Sequence, residues 1–181
     1  DSARDMVTAV GGGAPRISIR GRTFRFIVGG DEIVKQTDPI HVIVLGVVPE
    51  SNMAKTFYLS GYQPGSSDPP DCSSFFGEVP DSWVSSPQSD TCRSCPHQVW
   101  GSATSMNNKK AKACKDSKRL MVMNAKDLVD PEIDVPDVYI FNVTIASLKA
   151  LSTYGKFLTQ NNLPMAACIT EIAFVDSEFP Q

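Results

Sequence analysis

Hydrophobic and polar residues alternate in short runs along the first sixty positions. Residues 16–20, Arg16-Ile17-Ser18-Ile19-Arg20, place two isoleucines on one face of a strand. Gly21-Arg22 predicts a tight turn into a second strand over 23–28. There Phe24 and Phe26 share a face, and Thr23 and Arg25 lie opposite. Burial preference puts the two phenylalanines in the core and leaves Arg20, Arg22 and Arg25 exposed. Gly29-Gly30-Asp31 predicts another turn, then a short strand over 32–35. Pro39 breaks the chain before 40–48, an apolar run with the length of one buried strand. Residues 49–52 turn into a fifth strand over 54–62, on which Phe57 faces inward and Tyr58 outward. Short strands joined by turns predict a small barrel or sandwich rather than βαβ units.

The pattern changes from 63 to 118. Pro64, Pro69, Pro70, Pro80, Pro87 and Pro96 fall here with four of the five cysteines, and sustained periodicity is lost. Strand pattern returns at 119–124, an acidic loop occupies 127–137, and 138–145 is another strand. Ser147 is a candidate N-cap for one helix, along which Leu148, Leu151, Tyr154 and Leu158 recur at helical spacing. Asn161-Asn162 can end it in a left-handed conformation, and Pro164 precedes a last strand over 165–175. The expected fold is mainly β: an OB-like five-stranded barrel with one helix in its C-terminal half and a zinc-binding insertion. Glycine-rich residues 1–14 read as a flexible arm, and 15–181 as one OB-like domain with the insertion at about 63–118.

The insertion's chemistry rests on Cys72, Cys92, Cys95 and Cys114, separated by 19, 2 and 18 residues. A Cys-x-x-Cys turn sets two sulfurs on one side of a knuckle. Two further thiolates would close a tetrahedral zinc site with no open position, which makes the zinc structural. The segment has too little apolar residue to fold around its own core, so metal would supply the missing free energy. Free thiols, disulfides, and a redox or iron–sulfur role are the alternatives. His97 is a substitute ligand, Cys168 reads as a core residue, and His41 reads as structural.

A hydrophobic fraction of 41% is ordinary for a soluble chain, and no apolar run is long enough to span a membrane. The odd cysteine count with a metal-like quartet fits a reducing cytoplasm. The chain shows no signal-peptide pattern and begins at Asp1, which reads as a trimmed form with tails absent. The net charge of −3 hides an asymmetry: from Arg93 to Arg119 there are seven basic residues and one acidic, while the rest carries a net −9. A positive lobe on an acidic protein points to nucleic acid locally, although the total charge does not.

The chain contains Pro70-Asp71-Cys72, Pro87-Gln88-Ser89, Cys92-Arg93-Ser94-Cys95-Pro96, Val99-Trp100-Gly101-Ser102, Lys112-Ala113-Cys114-Lys115 and Lys118-Arg119-Leu120. Together these motifs resemble a family of bacteriophage single-stranded DNA-binding proteins. Pro15 to Arg20, Ser147-Leu148-Lys149, Tyr154 and the segment 174–180 also fit, so the resemblance covers most of the chain. The loop 103–110 departs from the family's glycine-rich pattern. The resemblance implies sequence-tolerant, non-catalytic coating of exposed strands during phage DNA replication or recombination. It also implies replisome proteins as further partners and the cytoplasm of an infected bacterial host as the location.

Single-strand binders need cations along the phosphate path and aromatic faces on which bases stack. The candidate cations are Arg20, Arg22, Arg25, Lys55, Lys109, Lys110, Lys112, Lys115, Lys118 and Arg119. Tyr58, Tyr62 and Trp100 are the candidate stacking platforms, with Trp100 alternatively a cover for the metal site. The lysine run is otherwise a solvated face. An alternative function is a zinc-containing subunit that docks on a polymerase or replisome. A third is a metal-dependent nuclease using Asp127, Asp130, Glu132, Asp134 and Asp137, although base rates favour a solvated acidic loop broken by Pro131 and Pro136. A zinc deaminase lacks its His-x-Glu here, and proline follows the Cys-x-x-Cys pair instead of preceding it. Polar residues and proline around that pair also disfavour a thioredoxin-like site.

Overall fold

Alternation along the strands decides which side chains enter the core. A computed structural model describes residues 14–61, 69–105 and 107–175. The strands are β1 (Arg16–Ile19), β2 (Phe24–Val28), β3 (Asp31–Gln36), β4 (Ile40–Val48), β5 (Ala54–Phe57) and β6 (Cys72–Ser74). They continue with β7 (Ala103–Thr104), β8 (Lys110–Ala111), β9 (Lys115–Asn124), β10 (Val138–Thr144) and β11 (Thr170–Ile172). The one α-helix among the described residues is α1 (Ile145–Gln160), and the fold is mainly β. No helix among these residues is long and apolar enough to cross a membrane.

The chain clusters into two compact units. The first contains 14–47, 120–142 and 149–175 of the described residues. Its strand order is β11-β4-β9-β10-β1-β2-β3, with β9 contributing its C-terminal half. Antiparallel pairs join β1 to β2, β2 to β3 and β4 to β11, and β1 lies parallel to β10. Gly21 and Arg22, both left-handed at φ 55° and 56°, form the two-residue turn between β1 and β2. Arg20 and Thr23 exchange backbone hydrogen bonds across it at 3.0 and 3.2 Å, as a hairpin of this twist requires.

Phe24 and Phe26 are fully buried, as their alternation predicts. Phe26 meets Tyr139 edge-on at 5.2 Å, and Phe24 stacks on Phe174 at 4.3 Å. Ile40, Val42 and Val44 enter the same core from β4, with Leu120 and Val122 from β9. Burying each such side chain contributes about 1.5–3 kcal/mol. His41 is on the exposed face of β4, where its Nε2 lies 3.2 Å from Glu171 across the pairing with β11.

α1 starts at Ile145, directly after β10, so Ser147 falls within its first turn and is not its cap. Its end is as expected: Asn162 is left-handed at φ 55°, and Leu163 N–H closes onto Leu158 C=O at 2.9 Å. Leu158 is buried, and the Tyr154 hydroxyl is 2.7 Å from Thr170 Oγ1. The last strand is shorter than 165–175. Pro164 leads into a 3-10 turn at Met165–Ala167, and only Thr170–Ile172 pairs. Cys168 is therefore half-buried at the end of that turn, not a core residue.

The second unit contains 48–119 and 143–148. Here β5 is the middle strand, antiparallel to β6 on one side and to the N-terminal half of β9 on the other. The fifth strand ends at Phe57 instead of Tyr62, because Gly61 turns back at φ 73° and donates to Tyr58 C=O at 3.1 Å. β5 belongs to the same compact unit as the cysteine segment, both falling in its run Val48–Arg119. One glycine here is obligatory: at Gly77, φ 75°, a Cβ would lie 2.0 Å from the Met53 carbonyl oxygen.

Candidate metal and nucleic-acid site

The pairing around β5 explains how cysteines far apart in sequence converge. Cys72 opens β6 opposite Phe57, and Cys114 immediately precedes β9, whose Lys115 pairs with Thr56. The knuckle comes from between them. Cys92 N–H donates to Glu78 C=O at 2.8 Å, and Cys95 N–H turns back to Cys92 C=O at 3.4 Å. Pro96 then starts a 3-10 turn, Pro96–Gln98, with its fixed φ suited to that position. Cys114 N–H donates to His97 C=O at 2.9 Å, tying the knuckle to the fourth cysteine. The His97 ring stacks on Phe57 at 4.1 Å.

Cys72, Cys92, Cys95 and Cys114 are free thiols that line one cavity of about 20 Å³. That volume suits a single water-sized particle. Lys55, Phe57, Ser73 and Thr91 complete its lining, among others. Among the described residues no group of three or more His, Cys, Asp or Glu is set close enough to hold an ion as it stands. The donor set and the cavity nevertheless suit a thiophilic ion, provided the sulfurs draw together and lose their protons. Burial pushes the Cys92 thiol up, and Cys72 and Cys95 add to the rise, against a hydrogen bond from Ser74 and the charge of Lys55. Burial also pushes Cys114 up to about 11, opposed by Lys55 and reinforced by Cys95, Asp116 and Cys92.

The proposed cations separate into two groups. Lys55 is buried, and its Nζ lies 2.6 Å from Asp116 Oδ1. Lys112 pairs with the other oxygen of Asp116. Burial alone would raise the Asp116 carboxyl, but the two lysines outweigh it and hold it below the ordinary range. Lys118 donates to the carbonyls of Pro49, Glu50 and Asn52 at 2.5, 3.0 and 2.5 Å. The Arg119 guanidinium lies 4.3 Å above the Phe75 ring and donates to its carbonyl at 3.3 Å. Burial lowers both Lys118 and Arg119 from their usual values. Lys55, Lys112, Lys118 and Arg119, all expected on the strand path, thus each have partners inside the protein. Asp116, the one acidic residue of the basic segment, takes two of them.

Lys109, Lys110 and Lys115 remain exposed, with Lys115 donating to Lys112 C=O at 3.0 Å. Lys110 opens β8, which pairs with β7, and Ser105 N–H donates to Lys109 C=O at 2.8 Å between them. Gly101 N–H joins the base of this hairpin to Ala111 C=O at 3.0 Å. Lys110 Cδ passes 3.7 Å from where a Gly101 Cβ would be, so its stem runs beside the residue following Trp100. Trp100 is 70% exposed and Val99 61%, so the tryptophan is not a buried cover for the cysteines. Trp83, 54% exposed, is an aromatic that sequence reading did not single out.

The remaining candidates are elsewhere. Arg20 and Arg22 are exposed on the β1–β2 turn of the other unit, and Arg25 pairs with Glu32. Arg22 also donates to Val175 C=O at 3.3 Å and lies 5.7 Å from the Phe174 ring. Tyr58 follows β5 and is half-buried. Tyr62 lies outside the described residues. In the acidic loop, burial raises Asp127, with Asp130 and Asp137 adding to the shift against Lys126. No family model, curated protein or solved structure matches this chain.

Proposed function

We propose that the protein binds single-stranded DNA without catalysis, on an OB-like scaffold whose cysteine unit is held by a structural zinc. The observation that carries this reading is Trp100. It presents most of its surface at the base of a hairpin bearing Lys109 and Lys110. An exposed indole beside exposed ammonium groups offers the two contacts a single strand needs, a stacking face and phosphate neutralisation. Bases would stack on Trp100, while Lys109, Lys110 and Lys115 follow the backbone. Cys72, Cys92, Cys95 and Cys114 would hold the zinc, which supplies the cross-link that a proline-rich segment with little core lacks. Their site is tied to the hairpin by backbone: Cys114 to His97, and Gly101 to Ala111.

Titration with oligo-dT and with a matched duplex at two salt concentrations, followed by tryptophan fluorescence, tests the reading. Salt-sensitive quenching by the single strand alone is expected. No binding of either nucleic acid would refute it. The docking alternative draws on the same exposed Val99–Trp100 pair and predicts capture of a replisome protein without any DNA affinity.

A further inference from the structure

Lys55 is an unusual occupant of the cysteine cavity. It is the one charged residue buried among the described residues, it sits on the middle strand of its unit, and it lines the cavity with all four cysteines. Its partner Asp116 is shared with Lys112. Two ammonium groups against one carboxylate leave one excess positive charge beside the cavity. Protonated thiols cannot neutralise it. A divalent ion with four thiolates carries two negative charges, and the excess positive charge of this cluster would offset one of them. Buried charge is tolerated when it is paired; Lys55 is the more buried of the two ammonium groups, so an anionic centre in the cavity would stabilise it further.

We propose that Lys55 is the buried charge partner of a four-thiolate metal centre, setting its affinity without ligating the ion. The inference rests on the metal reading above and adds a residue outside the ligand set. Asp116 holds the Lys55 ammonium in place from the β9 side, and Lys112 keeps Asp116 from cancelling it completely. Phosphate-directed lysines do not fit this description, since they need exposure.

The test uses Co²⁺ as the metal and a chromophoric chelator as competitor, on the full chain. Wild type should take up one Co²⁺ with the sulfur-to-metal absorption of a four-thiolate site. Lys55→Met should keep that spectrum and bind the ion about 10–100-fold more weakly, the usual cost of losing a group that supports ligands from outside. Asp116→Asn, which removes a negative charge and leaves Lys55, should bind no more weakly than wild type. Equal affinity for Lys55→Met and wild type would overturn the proposal while leaving the metal reading intact. Equal weakening in both variants would also overturn it, since packing rather than charge would then be the cause. Should Lys55→Met fail to fold, the sign of the Asp116→Asn effect still decides. A wild-type chain that binds no Co²⁺ overturns both the proposal and the metal reading.

Discussion

The division of the basic segment into working and exposed lysines makes a quantitative prediction. In single-strand binding, the log–log dependence of affinity on salt has a slope of about 0.7 per neutralised phosphate. Lys109 and Lys110 are exposed on the hairpin, so replacing both with alanine should flatten the slope by roughly 1.4 units. Between about 50 and 200 mM salt, wild type should then lose roughly sevenfold more affinity than the double variant. Lys112 is different. Its charge is already met by Asp116, so Lys112→Ala should leave the slope nearly unchanged. Lys118→Ala should behave likewise, because that ammonium is held by three backbone carbonyls. Fluorescence anisotropy of a labelled oligo-dT across a series of KCl concentrations measures all four proteins. If the Lys109/Lys110 variant keeps the wild-type slope, the exposed lysines are only a solvated face. If Lys112→Ala flattens the slope as much as the double change, the Asp116 pairing does not neutralise it and the partition of cations is wrong.

Trp100→Ala should weaken oligo-dT binding by about 1–3 kcal/mol with the salt slope unchanged, since stacking releases few counterions; unaltered affinity in the same assay removes Trp100 as a platform. Protein purified without chelator should contain one zinc per chain by elemental analysis. Cys114→Ser should lose that zinc and show faster proteolysis within 69–105, and a metal-free chain of equal protease resistance would contradict the structural role. In the metal-free protein, the Cys114 thiol pushed up to about 11 favours its neutral form in the folded state. That contribution, on the order of 2 kcal/mol, is present below the unfolded value near 9 and is lost as pH rises from about 9 to 11. Urea unfolding of metal-free wild type and Cys114→Ser should therefore converge across this window, and parallel curves would count against the buried-thiol description.

Much of the strand unit was legible from alternation alone. The bounds of β1 to β4 agree with the pattern to within a residue or so, and Phe24 and Phe26 are where alternation puts them. The cysteine set was legible from spacing, and the four side chains do share a cavity. The burial of Lys55 was not foreseen, although a signal existed. It lies two residues before Phe57 on a strand, so the two share a face, and an inward Phe57 implies an inward Lys55. Its partner Asp116 was not legible, since the pair depends on a cross-strand register spanning 61 residues. The early end of β5 and the start of α1 at Ile145 were lost for a related reason. The turn at Gly61 and the direct passage from β10 into α1 come from tertiary placement that overrides local pattern.

The three carbonyls around Lys118 form a cradle of the kind that a dehydrated alkali cation would occupy. The chain fills it with its own ammonium, supplied by β9 to the turn after β4. Those carbonyls are consequently satisfied from within the chain, without an ion drawn from the surrounding solution. A neutral side chain at this position would hand the role back to the solvent.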